Sequence, residues 1–121
     1  ELDVGMRRTG LPDADAVVDL ARFVAERSPL AYDGLMFYPG HVRQPARAQG
    51  PAMAEVGRRV ERALEALDRA GLPAQVVSGG STPAAWRMHE VPGLTEVRPG
   101  TYVYNDRVTA AIGACEWDAC A

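Results

Sequence analysis

Along the chain, apolar residues switch between a dense, strand-like spacing and a helical one. Glu1 to Gly5 reads as a short strand that ends at a glycine. Past the turn at Gly10, Leu11 and Pro12, Asp13 can cap a helix running to about Ser28, in which Val17, Leu20, Ala21 and Val24 recur at helical spacing. Pro29 closes it. A second strand begins near Ala31, and its apolar run through Tyr38, bounded by Pro39 and Gly40, has the pattern of a strand buried on both faces. After a loop with Pro45 and Gly50, Pro51 opens a long helix to about Ala70. Met53, Val56, Val60, Leu64 and Leu67 form its apolar stripe, and Arg58, Arg59, Glu61, Arg62 and Glu65 its polar side. Gly71 and Pro73 end it in the usual order. Ala74 to Ser78 is a third strand, followed by Gly79-Gly80-Ser81-Thr82-Pro83 and a short helix near Pro83. Thr95 to Val97 adds another extended stretch. The tail from Val108 to Ala121 is too short in pattern to assign.

Strands separated by helices imply parallel pairing. Three or four strands cannot close on themselves, and a complete (β/α)8 barrel takes about 250 residues. The order of elements therefore leaves two α/β architectures open: a small open sheet, or part of a barrel.

Composition narrows the function more than the fold. The 121 residues are 47% hydrophobic and 24% charged, with a net charge of −3 and no block of like charges. That balance argues against a nucleic-acid or anionic-membrane partner. No apolar run reaches the roughly 18 residues of a bilayer span. A start at Glu1, with neither an initiator methionine nor a signal segment, leads us to expect a piece of a longer polypeptide. Cys115 and Cys120 are expected as two free, buried thiols rather than a disulfide, and the cytoplasm follows as the expected compartment. All 13 basic residues are arginine. Arginine stays protonated and forms no Schiff base with a carbonyl, so a lysine nucleophile has to come from elsewhere.

Function in α/β folds gathers at the C-terminal ends of parallel strands. Four such ends carry candidate chemistry here: Gly5 to Gly10, Tyr38 to His41, Ser78 to Thr82, and Arg98 to Tyr102. Ser78-Gly79-Gly80-Ser81-Thr82 can cradle a phosphate through backbone N–H groups and hydroxyls, although a tight strand-to-helix turn would use the same residues. It is no Walker loop, because that motif's lysine is missing. Arg8 can aim a fork of donors at an oxyanion or be a surface arginine. Tyr38 can stack on a flat ring or be a core aromatic. His41 reads as a solvated loop histidine, His89 as structural or exposed, and Asp3 and Asp106 as possible turn caps. His41, His89 and the cysteines have no metal-site spacing.

Together these stretches resemble a known family. Leu2 to Gly10 resembles the strand and turn "(I/V)D(V/T)GMxRxG" of fold-type III pyridoxal-phosphate enzymes, which include alanine racemases. Gly34 to His41 is similar to the "GL…GYxGH" segment of D-threonine aldolases, and Val77 to Pro83 to their "VSGGSTP" phosphate loop. Thr95 to Asp106 is similar to their "TE(L/V)RPGTYVFND". Four matches in order cover most of the chain.

The resemblance implies the C-terminal half of a (β/α)8 barrel, residues 1–114, with 115–121 opening a following β-rich domain. It implies pyridoxal 5′-phosphate as cofactor and a lyase acting on small D-β-hydroxy amino acids, either an aldolase or a D-serine dehydratase-like enzyme. Carried over, Arg8 lies near the cofactor's 3′-oxygen and Tyr38 beside its ring. Ser78, Gly79, Gly80, Ser81, Thr82, Gly100 and Thr101 hold the phosphate. Arg98 falls where alanine racemases place an arginine on the pyridine nitrogen, and Tyr102 or Tyr104 lines the pocket. The family's Schiff-base lysine lies upstream of Glu1, and its divalent-metal ligands lie in the domain after Ala121, so no catalytic residue is expected in this chain. A racemase, a non-catalytic module binding pyridoxal phosphate or phosphate, and an open-sheet domain for another phosphorylated ligand are the competing readings. An opened barrel leaves unpaired strand edges and bare helix faces. A homodimer, or a complex with the rest of the barrel, is therefore expected.

Overall fold

A computed structural model describes residues 1–27 and 29–120. Helix α1 (Ala14–Arg27) starts where the Asp13 carboxylate accepts a hydrogen bond from the Ala16 N–H at 2.9 Å. That side chain satisfies one of the donors a helix start leaves free. The expected last residue, Ser28, lies outside the described residues. Strand β1 (Gly34–Phe37) follows, then helix α2 (Gly50–Arg69) with Pro51 in its first turn. Gly71, at φ +73°, lets the chain turn out of α2 while the Leu72 N–H bonds back to Leu67 O at 2.9 Å, a helix-ending geometry that favours glycine. Strand β2 (Val76–Gly79), a 3-10 turn at Ala85–Glu90 and strand β3 (Glu96–Val97) complete the sheet region. Past it come a 3-10 turn at Thr101–Val103, the short helix α3 (Arg107–Ala111) and a final turn at Trp117–Ala119.

The strands form a three-stranded parallel sheet in the order β1-β2-β3. Gly34 pairs with Val76 and Phe37 with Gly79, while Gly79 pairs in turn with Val97. Leu35, Phe37 and Val77 point to the helices and are buried with Val17 and Ala21 of α1 and Met53, Val56, Val60, Ala63 and Leu67 of α2. The α2 stripe is as expected, with Leu64 half-buried at its margin.

Four expectations are corrected. The strand expected at Glu1–Gly5 is reduced to single bridges from Leu2 to Phe37 and to Leu11. Asp3 folds its carboxylate onto the N–H groups of Gly5 and Arg7, at 2.9 and 3.0 Å, and curls the chain before a ladder can extend. β1 is buried on one face only, with Met36 37% exposed between buried Leu35 and Phe37, because a single helix layer covers this sheet. Leu20 of α1 is likewise exposed, at 47%, on a part of the helix that no other described element covers. Cys115 and Cys120 are free, as expected, but half-buried; their sulfurs are 3.9 Å apart, well beyond a disulfide bond length of about 2.05 Å.

Candidate active site

The strand ends converge on one cavity of about 390 Å³, lined by Arg8, Tyr38, Gly80, Ser81, Thr82, Arg98, Gly100 and Thr101, with Glu1, Met36 and Pro83 at its edges. That volume lies within the range of small-molecule sites, about 300–1,000 Å³. Hollows elsewhere, between α1 and α2 and around residues 85–97, gather no comparable set of strand-end groups.

Each wall has a local cause. The turn from Asp3 to Gly10 is built on the Asp3 carboxylate. Burial works against its charge, but the N–H groups of Arg7, Gly5 and Met6, together with Arg59, outweigh that and hold its pKa below the usual range. The turn delivers Arg8, whose guanidinium lies 4.9 Å from the centroid of the Tyr38 ring, within cation–π range. Tyr38 itself is half-buried at the end of β1.

The other wall is the turn after β2. Gly80 has φ +129°, and a Cβ there would stand 3.2 Å from the Arg98 backbone N. Any other residue would be strained and would press on the neighbouring strand. Ser81 and Thr82 are buried, at 4% and 6% exposure. The backbone N–H groups of Ser81, Thr82, Gly100 and Thr101 donate to no protein acceptor among the described residues. Buried N–H groups are almost always paired. Only Ser81 and Thr82 of these four are buried, Gly100 and Thr101 being exposed; with two arginines alongside, the free N–H groups make a geometry suited to an anion. Thr82 Oγ1 accepts from the Tyr102 N–H at 3.2 Å and joins this turn to the Gly100 turn. Arg98 is tied in by its own N–H, which donates to Gly79 O at 2.9 Å. Its guanidinium is exposed and reaches Phe37 O only at 3.5 Å.

Four residues expected in the site do not line this cavity. Ser78, 8% exposed, lines an adjoining hollow that shares Met36 and Arg98 with it. Gly79 faces the Phe37 ring, which leaves no room for a Cβ. Tyr102, 58% exposed, lines a neighbouring apolar groove with Trp86 and Cys115. Tyr104 is 70% exposed.

Other polar groups settle into structural roles. Asp106 caps α3, accepting from the N–H and the hydroxyl of Thr109, both at 2.7 Å; those bonds hold its pKa down. His89 is exposed. His41 is a correction, because it is half-buried rather than solvated. Its Nδ1 is buried without a hydrogen-bond partner among the described residues, and its ring packs on Gly5, where a Cβ would meet Nε2 at 3.2 Å. Burial lowers its pKa, against the pull of Asp3 and with the help of Arg59. Sequence reasoning also passed over Gln49, buried behind the Ser81 turn. Its only signal was its place just before a helix-opening Pro.

A small parallel sheet backed by helices, with glycine-rich turns and arginines at its strand ends, is consistent with part of an α/β barrel. Residues 1–108 match the family "Alanine racemase, N-terminal domain", and the chain belongs to that family. In structure it resembles D-threo-3-hydroxyaspartate dehydratase from Delftia sp. HT23, with a TM-score of 0.86 and 31% identity over 98% of this chain and 32% of that one. In sequence, one stretch is 54% identical over 54 residues to the dehydratase of that organism, covering 45% of this chain and 14% of the relative. D-threonine aldolase from Arthrobacter sp. is 30% identical over 123 residues, 98% of this chain and 31% of the relative. The chain thus spans less than a third of the length of these relatives. Among the described residues no helix is long and apolar enough to cross a membrane.

Proposed function

We propose that this chain forms the phosphate- and ring-binding side of a pyridoxal 5′-phosphate site in a lyase for D-β-hydroxy amino acids. The observation that carries the reading is the cavity that gathers Ser81, Thr82, Gly100 and Thr101, whose N–H groups are free among the described residues, with Arg8, Tyr38 and Arg98. The relatives' names, a dehydratase and aldolases, support the substrate class.

In this reading the Ser81 and Gly100 turns bind the phosphate. Tyr38 supports one face of the ring, Arg8 meets its phenolic oxygen, and Arg98 stands at the pyridine nitrogen. Ser78 and Gly79 shape the cradle from behind, and Tyr102 and Tyr104 border it. When bound, pyridoxal phosphate supplies an electron sink for bond cleavage at the substrate's Cα. The amine that anchors it comes from residues outside these 121, since every basic side chain here is arginine, and the divalent metal expected from the family resemblance is assigned to the following domain. The chain is then barrel through residue 114, with 115–121 leading into a second domain. Its open edges are covered by the rest of the barrel, within a homodimer. Two free thiols fit a cytoplasmic setting, where reducing conditions keep such groups reduced.

The lack of lysine favours one second reading, a module that binds pyridoxal phosphate without turnover. Borohydride reduction of the whole polypeptide, followed by intact mass, separates the two. Cofactor fixed on a lysine outside residues 1–121, with release of a keto acid or an aldehyde from a D-β-hydroxy amino acid, is the expected result. Reversible binding with nothing fixed would establish the module, and no binding at all would overturn both readings.

A further inference from the structure

Gln49 stands at the entry to α2 and is 1% exposed. Its Nε2 donates to two carbonyl oxygens, Gln44 O at 2.9 Å and Pro83 O at 2.8 Å. Its Oε1 is buried with no partner among the described residues. A primary amide half-satisfied in a core is costly, since an unpaired buried acceptor costs about 1–3 kcal/mol. An apolar side chain of similar size would avoid that cost, so packing alone does not account for a glutamine here.

What the amide achieves is a fixed peptide plane. Between Pro83 and Ala84, the Ala84 N–H bonds back to Ser81 O at 3.2 Å, while the Pro83 carbonyl is held by Gln49. The turn that ends the cradle is thereby tied at both ends of one peptide. The second carbonyl, Gln44 O, anchors the same amide to the loop before α2.

We propose that Gln49 is a positioning residue for the phosphate cradle. It holds the Ser81–Pro83 turn in the form that leaves the Ser81 and Thr82 N–H groups free for a phosphate monoester, and it touches no ligand itself. The inference rests on the cofactor reading above, and its test separates the two. In the whole polypeptide, dissociation constants for pyridoxal 5′-phosphate and for pyridoxal, which lacks the phosphate, are measured by quenching of protein fluorescence. Wild type is expected to prefer the phosphorylated form. Gln49→Met should lose about tenfold of that preference, equivalent to about 1.4 kcal/mol, through weaker phosphate-ester binding while pyridoxal binding stays within about twofold.

Gln49→Glu keeps the shape but not the donor, and covers the case in which the methionine variant does not fold. It should lose the preference once the pH is high enough to take the proton from a carboxyl whose pKa is raised by burial and by two facing carbonyl oxygens, and regain part of it, relative to wild type at the same pH, where acid returns that proton. A wild type without preference would overturn the cradle reading and this inference with it. Preference kept in both variants, or equal loss for both ligands, would overturn the role of Gln49 alone.

Discussion

In α2, Met53, Val56, Val60 and Leu67 are at most 1% exposed, whereas after β3 Tyr102, Val103, Tyr104, Val108 and Trp117 are 58–70% exposed. Both regions are rich in large apolar side chains. The first has a sheet to pack on. The second is tied back by single bonds, such as Arg98 N–H to Gly79 O and Tyr102 N–H to Thr82 Oγ1. Stability therefore resides in the wedge of sheet and helices, while the 98–101 wall of the cavity hangs from that wedge by its edge. Burial, not residue type, separates scaffold from site margin.

The largest effect belongs to the wedge. Phe37→Ala empties the space against Gly79 and α2, and should cost about 3–5 kcal/mol, read as a lower urea midpoint. If the protein is no less stable, the wedge is not where stability lies. Asp106→Ala removes the cap of α3 and should cost about 1 kcal/mol, with faster hydrogen exchange confined to residues 107–111. Spread of that exchange into α2 would erase the division between the regions. Smaller again is a pH effect. His41 has its pKa lowered by burial, so the unfolded chain binds its proton more readily. The stability His41 contributes is complete above an ordinary histidine pKa of about 6.5 and falls away as pH drops below it. His41→Gln should flatten that part of the stability–pH curve. An unchanged curve would show that the Gly5 contact leaves the imidazole free to protonate. Tyr104→Ala should change stability by no more than about 0.5 kcal/mol; a larger loss would mean that the exposed region packs after all.

The sequence made much of this legible, for reasons that differ by region. The α2 stripe is long and strictly periodic, so its burial could be read directly. The four candidate segments stood out because glycines, hydroxyls and arginines cluster there. Residues 1–5 misled, since strand propensity says nothing of the Asp3 carboxylate that bends the chain. Met36 and Leu20 read as core because a pattern records which face is apolar, not whether a neighbour covers it. His41 and Gln49 stayed hidden for the same reason. Their burial is imposed by elements distant in sequence, the Asp3–Gly10 turn for one and the Ser81–Pro83 turn for the other.

The stack of Arg8 over Tyr38 also gives the protein its own optical gauge. A guanidinium 4.9 Å from the ring centroid sets the electronic surroundings of that phenol. A ligand whose oxygen draws Arg8 away would alter them. Tyr38→Phe would separate its share of the signal from that of the other three tyrosines and the two tryptophans in these 121 residues. Occupancy of the cavity should therefore register in the near-ultraviolet circular dichroism of Tyr38, with no label added.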